Sequence, residues 1–338
     1  MITSKRQLID EQTSPLHRIM WVYNPEELQR RSFENNICAF HIGNGYFLSV
    51  AHNLRTQAGF YKSLDEAIYQ KEILYKLDGS QKLFMDDNYF SDDYTRKLYL
   101  NNDNPESLRS IATILKQKRF DTRWETLAAK KICVPYALIQ FKGDRFYGDA
   151  EMASHFPPER VLYEPEPKKH TFMLPLELVE AFYNADIALY KVVGVPQEII
   201  NKIPEIEMNF DFLEEDPGNF HCLQSSPSSP AGRLFNDAHI EGILDYFTMF
   251  PDDIGGNYIV DGYRYLVKGY FRFGSSGAPY ITYEPLHGKY SANGIQSEAS
   301  GIQFSIKDDR HGNIQYTNAI VSPLYLIKDR LKALGVID

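Results

Sequence analysis

The chain has 338 residues, a hydrophobic content of 43%, an aromatic content of 14% and a net charge of −9. At roughly 100–200 residues per domain, this length predicts one large domain or two, and the composition excludes wholesale disorder. The negative charge argues against a nucleic-acid partner held by phosphate contacts, and the sequence has no apolar run that suits a signal peptide or a membrane span.

The first clear element is a β-hairpin that ends at a histidine. Residues 37–42 are apolar and β-prone, residues 43–45 are the strong turn signal Gly-Asn-Gly, and residues 46–51 form the second strand. His52 stands where the chain leaves this second strand. A strand end is rigid, so we expect the hairpin to position the imidazole.

From about 55 to 165 the sequence has a helical and charged pattern. Ser63 and Glu66 form a capping box at the start of one predicted helix. Asn104 and Pro105 begin a second, because asparagine caps helices and proline suits the first helical position. We interpret 55–165 as an α-helical insertion.

The remaining sequence is dominated by strand signals. Asp186 precedes a buried strand at 187–192, and the Ser/Pro-rich stretch 223–233 predicts a loop or linker. Short strand-like runs then recur between turns, which indicates an antiparallel barrel or sandwich. A last amphipathic helix is predicted to begin at 322–323 and to end at Gly335.

Three residues in this pattern could form a hydrolytic site. A serine nucleophile needs a base, the base needs a carboxylate that fixes its tautomer, and the oxyanion needs two backbone N–H groups. The chain offers His52 at a strand end, Asp186 before a strand, and Ser276 in a glycine-flanked turn. Each alone is more often a rim, cap or loop residue; together they predict catalysis.

The contexts of these residues resemble the motifs of one protease family. The segments "FLSVAHN", "NADIALYKV" and "GSSGAP" are similar to the histidine, aspartate and serine motifs of the chymotrypsin/trypsin-like serine proteases. The order His, Asp, Ser is that family's order and differs from the order in α/β-hydrolases. The resemblance covers roughly 35–54, 170–193 and 260–335.

The resemblance implies a mostly β fold. It consists of two six-stranded antiparallel β-barrels, as in chymotrypsin, with the helical insertion in the first barrel and a helix at the C-terminus. Residues 1–195 would form the N-terminal barrel with His52 and Asp186. Residues 196–338 would form the C-terminal barrel with Ser276.

The same resemblance implies a role for each matching residue. Ser276 is expected to be the nucleophile, His52 the general base and then acid, and Asp186 the orienting carboxylate. The amides of Gly274 and Ser276 would form the oxyanion hole. The family needs neither a metal nor an organic cofactor, and the sequence has no CxxC pair or HExxH helix that would suggest a zinc site.

Two further positions suggest substrate binding. Tyr270 lies six residues before the nucleophile, where the trypsin branch has an aspartate, so a preference for Arg or Lys is not implied. Ser297 lies in "GIQSEAS", which matches a specificity-pocket strand, although a second "GIQ" at 301–303 gives an equally good alignment.

Two departures from the family concern activation and compartment. Ser275 stands where zymogen-activated members have an aspartate that pairs with a cut N-terminus, so we expect no activation by N-terminal cleavage. Asn53 stands where secreted members have a cysteine. With three scattered cysteines, Cys38, Cys133 and Cys222, this predicts reduced thiols and a cytoplasmic protein.

The predicted function is therefore a bacterial-type serine endopeptidase. It would cleave protein or peptide substrates through an acyl-enzyme, without a nucleic-acid or membrane partner. Two alternatives stay open. One is a catalytically silent trypsin-like binding module, which the intact set of three residues argues against. The other is a protease that an activating or inhibiting partner controls at the insertion, in a bacterial stress or defence pathway.

Overall fold

The structure is a computed structural model with two β-sheets. It describes residues 1–23, 33–52, 133–141, 156, 160–164, 169–226, 229–251, 257–272, 274–305 and 314–338. The predicted helices within 63–79 and 104–119 lie outside these residues. No helix in the described ranges is long and apolar enough to cross a membrane.

The first sheet closes into a barrel. Its strands are β1 (Leu16–Tyr23), β2 (Phe33–His41), β3 (Tyr46–Ser49), β4 (Cys133–Ile139), β5 (Val161–Glu164), β6 (Lys169–Phe182) and β7 (Ile187–Val192). The order is β4-β1-β2-β3-β7-β6, and β4 also pairs with β6, so six antiparallel strands close on themselves. Strand β5 pairs with β6 outside this ring.

Part of the range predicted as a helical insertion belongs to this barrel. Strands β4 and β5 both lie within 55–165, and β4 pairs with β1 on one side and β6 on the other. The boundary of the insertion therefore needs correction, since residues from 133 onwards supply barrel strands. The pairing of β4 with β1 joins residues more than a hundred positions apart, which local sequence patterns cannot reveal.

The second sheet carries the C-terminal half. Its strands are β8 (Glu207–Met208), β9 (Phe220–Ser226), β10 (Ser229–Asp237), β11 (His239–Pro251), β12 (Asn257–Arg272), β13 (Pro279–Glu284), β14 (Lys289–Ser305) and β15 (Ile314–Pro323). Seven strands are antiparallel in the order β10-β9-β13-β14-β15-β12-β11, and β8 adds to β14 in parallel. The predicted mostly β class is confirmed, with one closed six-stranded barrel and a second sheet.

The second sheet curls so that β9 lies beside β12. The buried Gln224 of β9 donates from Nε2 to the carbonyl of Tyr270 at 2.8 Å, and its Oε1 accepts from the amide of Arg272 at 3.0 Å. The side chain of Gln224 thus joins the two strands through two hydrogen bonds to the backbone of β12. It also holds the end of β12, from which the turn with Ser276 begins.

The stretch 223–233 was predicted as a loop or linker, and its described residues, 223–226 and 229–233, instead belong to β9 and β10. Strand β10 is the edge of the sheet. An edge strand tolerates proline because one row of its N–H groups has no ladder partner. The Ser/Pro composition therefore indicated a loop where the structure has a hairpin edge.

The helices within the described residues are short. They are α1 (Lys5–Ile9), α2 (Gln197–Ile200) and α3 (Lys328–Ala333), with 3-10 helices at Tyr183–Ala185 and Leu324–Ile327. The predicted C-terminal helix is confirmed, but β15 continues through Pro323 and a 3-10 turn precedes α3. Leu324, Ile327 and Leu331 are buried as the helical pattern required, and they join one apolar core that includes side chains from both sheets.

Candidate active site

The centre of the candidate site is a hydrogen-bonded pair, His52 and Asp186. Asp186 is fully buried, and its Oδ2 lies 2.7 Å from Nδ1 of His52. Its Oδ1 accepts the backbone N–H of His52 at 2.8 Å. The carboxylate therefore fixes both the backbone and the ring of the histidine, which are brought together from positions 134 residues apart.

These contacts determine the histidine tautomer. A carboxylate only accepts hydrogen bonds, so Nδ1 of His52 must carry a proton and donate it to Asp186. At neutral charge this leaves Nε2 as a lone-pair acceptor. The side chain of His52 is 24% exposed, whereas that of Asp186 is not exposed. The ring of His52 is therefore partly accessible to solvent, and the carboxylate of Asp186 is not.

Strand ends position both residues. His52 follows β3, and Asp186 immediately precedes β7, the strand that pairs with β3. Asp186 has a φ of 53°, in the left-handed region, at the end of the 3-10 helix Tyr183–Ala185. Aspartate adopts this region more readily than most residues. Its carbonyl also accepts the amide of Ala51 at 3.2 Å, which ties the two strand ends together.

Ser276 lies in the turn between β12 and β13. Glycines flank it, with φ of 84° at Gly274 and 86° at Gly277. Its carbonyl accepts the backbone N–H of Cys38, in β2, at 3.0 Å. The turn of the second sheet is thereby attached to the first barrel, in the strand that precedes the hairpin turn before β3 and His52.

Gly277 makes this attachment sterically feasible. A Cβ at this position would lie 2.0 Å from the carbonyl oxygen of Cys38 and 2.7 Å from Oγ of Ser49. Ser49 itself donates to the same carbonyl of Cys38 at 2.6 Å. Only glycine allows the backbone of the turn to approach so closely.

The turn also presents two amides. Within the described residues, neither the N–H of Gly274 nor that of Ser276 donates a hydrogen bond to another residue. The hydroxyl of Ser276 likewise takes part in none of the hydrogen bonds within these ranges. Catalytic contacts in a ligand-free site often form only with substrate bound, so this does not conflict with a nucleophilic role.

The structure gives the surroundings of the two residues predicted to bind substrate. Ser297 is buried, and its hydroxyl donates to Oδ2 of Asp186. Tyr270, on β12, is 63% exposed. A role in substrate binding stays a prediction for both residues.

Two charged residues near the site gave no signal in the sequence. Arg264 is fully buried in β12, and its guanidinium donates to the carbonyl of Asn184, in the 3-10 helix before Asp186. Glu298 follows Ser297 and accepts the hydroxyl of Tyr246 at 2.7 Å. Burial chiefly raises the pKa of Glu298, the negative charge of Asp186 raises it further, and the bond from Tyr246 opposes the shift.

No group of three or more His, Cys, Asp or Glu residues in the described part of the chain could hold a metal ion. The acidic groups near the site are accounted for by protein contacts, since Asp186 binds His52 and Ser297 while Glu298 binds Tyr246.

The sequence matches no protein-family model and no curated protein. Solved structures with a similar arrangement include the active form of the Rv3671c protease from M. tuberculosis, at a TM-score of 0.42 and 11% identity over 94% of this chain and 79% of that chain. Another is Deg5, at a TM-score of 0.38 and 8% identity over 92% of this chain and 87% of that chain. At such values structural similarity decides neither fold nor function.

Proposed function

We propose that the protein is a serine-type endopeptidase with Ser276 as nucleophile, His52 as base and Asp186 as orienting carboxylate. The observation that carries the proposal is the hydrogen bond between Nδ1 of His52 and Asp186. In the neutral ring this bond makes Nε2 the acceptor, and the side chain of His52 is partly exposed. Ser276 lies in a glycine turn bonded to β2, the partner strand of β3, at whose end His52 lies.

The chemistry follows from these assignments. Ser276 Oγ attacks the scissile carbonyl carbon while its proton passes to Nε2 of His52. The negative oxygen of the tetrahedral intermediate accepts the N–H groups of Gly274 and Ser276. The leaving amine takes the proton from His52, and water then repeats the sequence on the acyl-enzyme. Buried Asp186 stabilises the imidazolium throughout without accepting its proton.

A fluorophosphonate probe tests the proposal directly. The wild-type chain should be labelled at Ser276, and Ser276→Ala should not be labelled. Ser291→Ala is the matched control, because Ser291 is a buried serine of β14 outside the site. Hydrolysis of a peptide ester should fall about 10⁶-fold in Ser276→Ala or His52→Ala and about 10⁴-fold in Asp186→Asn.

The outcomes also separate the alternatives. A wild-type chain that is folded, takes no label and hydrolyses no ester would contradict the protease and favour the silent binding module. Labelling that appears only after a partner is added would instead favour a protease controlled by its partner. Both outcomes concern the same hydroxyl, so one set of gels distinguishes them.

A further inference from the structure

The turn that carries Ser276 rests on a buried glutamine. Gln296 of β14 is 1% exposed, and Ser275, the residue before the proposed nucleophile, is fully buried beneath the turn. Nε2 of Gln296 donates to Oγ of Ser275 at 2.7 Å. Oγ of Ser275 in turn donates to the carbonyl of Arg272 at 2.5 Å.

The backbone of Gln296 holds the other side of the same turn. Its carbonyl accepts the N–H of Gly277 at 2.9 Å, and its own N–H donates to the carbonyl of Ala278 at 2.9 Å. One residue therefore makes three hydrogen bonds to Ser275, Gly277 and Ala278, on both sides of Ser276. The turn itself adds a bond of 2.9 Å from the N–H of Ala278 to the carbonyl of Ser275.

The donors and acceptors of this network fix the orientation of the amide. Oε1 of Gln296 faces two groups that can donate to it, the hydroxyl of Tyr280 at 3.5 Å and the thiol of Cys222 at 3.7 Å. Burial raises the pKa of both Tyr280 and Cys222, so both keep their protons. Nε2 then points to Ser275, whose own hydroxyl hydrogen is already directed at Arg272 and which can only accept.

All groups in this network are neutral, so it differs from an arrangement in which a charged carboxylate holds the turn. A carboxylate at position 275 would be buried and would require a cation as partner, since an unpaired buried charge is strongly disfavoured. A serine requires only an N–H donor and a carbonyl acceptor. Gln296 and Arg272 supply these from the fold itself, with no contribution from a chain end.

From this network we infer that Gln296 is a positioning residue that holds the Ser276 turn in its competent form, so that activity needs no N-terminal cleavage. The inference rests on the proposed function, because a competent turn matters only if Ser276 reacts. Gln296 acts through Ser275 and the backbone of the turn. It does not contact substrate.

The first test compares two buried amides of the same strand in the full-length chain. Gln296→Leu removes the donor to Ser275. Asn293→Leu is the control, because Asn293 is equally buried in β14 but accepts from Thr282, outside the turn. For ester hydrolysis, kcat should fall about 10²-fold in Gln296→Leu with little change in KM, as for a misplacement of about 1 Å. It should stay near wild type in Asn293→Leu.

A second variant separates positioning from general loss of structure. Gln296→Glu keeps the shape of the side chain but can donate to Ser275 only while the new carboxyl is protonated. The kcat of this variant should therefore fall as the pH rises through the ionisation of the new carboxyl. Wild type has no such transition. Ser275→Ala combined with Gln296→Leu should be no slower than Ser275→Ala alone, because Gln296 acts through the serine.

A third measurement does not depend on activity. Hydrogen exchange of the peptide spanning 274–280 should be faster in Gln296→Leu than in wild type, while exchange in β7 is unchanged. If wild type proves inert but this loosening occurs, the proposed function fails and the positioning of the turn stands. If Gln296→Leu folds with wild-type kcat and exchange, or if Asn293→Leu is equally impaired, the inference is overturned.

Discussion

Ser297 donates its hydroxyl to Oδ2 of Asp186, the same carboxylate oxygen that accepts Nδ1–H of His52. The backbone N–H of His52 donates to Oδ1, so at least three donors point at the buried carboxylate. A carboxylate held by these donors cannot rotate freely. Ser297 therefore belongs to the support of Asp186, in the strand that also provides Gln296.

We predict that Ser297→Ala lowers kcat for ester hydrolysis by about 10-fold with little effect on KM. Losing one hydrogen bond to a charged acceptor costs on the order of 1.5–3 kcal/mol, only part of which reaches the transition state because two donors remain. Steady-state kinetics on a peptide ester would show this. A rise in KM with unchanged kcat would mean that Ser297 serves substrate binding after all.

The local parts of the site were predictable because each motif is contiguous in sequence. The hairpin at 37–51 and the strand at 187–192 appear in the structure as β2, β3 and β7, with His52 and Asp186 at their ends. What the sequence does not reveal is which side chains meet beneath the turn. Gln296 and Ser275 are 21 positions apart, and the motifs that contain them do not indicate that their side chains pair.

Pairing between strands that are distant in sequence could not be predicted either. Strand β4 has a sequence that reads as a buried apolar run, but nothing near it indicates that its partners are β1 and β6. The helical signals before it made the whole of 55–165 look like one insertion. Serine and proline normally indicate a loop. In β10 they instead lie on the edge strand of a sheet, so the composition gave the wrong prediction.

We predict that Gly277→Ala abolishes measurable ester hydrolysis and destabilises the protein by about 4 kcal/mol or more. The added methyl group would overlap the carbonyl oxygen of Cys38 at 2.0 Å, on top of the cost of a φ of 86°. Gly218→Ala is the control, since Gly218 has a φ of 69° and nothing within 4 Å of the added atom. Equal losses in thermal stability for both variants would count against the close approach.

We predict that the buried His41 makes the protein less stable in acid. Burial lowers its pKa to about 4, and the neutral ring accepts the amide of Gly45 on Nε2 at 3.0 Å while Nδ1 faces the carbonyl of Pro204 at 3.2 Å. The unfolded chain binds the proton more tightly. The stabilisation is therefore complete above about pH 6.5 and is lost as pH falls towards 4, by roughly 3 kcal/mol in total.

Denaturant unfolding between pH 4 and 8 checks this prediction. His41→Gln should be less stable than wild type at pH 8, and the difference should shrink as the pH falls. The exposed His287 gives the control, because His287→Gln should leave the slope unchanged. A difference between His41→Gln and wild type that is constant across this range would show that the histidine does not titrate on unfolding.

We predict that a reducing agent leaves the melting temperature unchanged. Cys38 and Cys222 are free and fully buried, and the side chain of Cys133 lies outside the described residues. Native protein should react with a thiol reagent at Cys38 and Cys222 only as fast as it unfolds locally. A clear fall in melting temperature on reduction would indicate a disulfide and count against the expectation of a reducing compartment.

The last prediction concerns the segment between His52 and β4, which we propose as the place where a partner controls the enzyme. It begins directly after the base, and a shift of about 1 Å in a catalytic group can cost on the order of 10²-fold in rate.

The pairing of β4 with β1 and β6 sets the limit of any deletion. Replacing 60–130 with a Gly/Ser linker, and leaving 133 onwards intact, should change ester hydrolysis at least 10-fold, in either direction. The same linker in place of 306–313 is the control, and it should leave the rate unchanged. If the shortened protein folds and matches wild type, the segment only enlarges the protein, and control of activity must be sought in the two sheets.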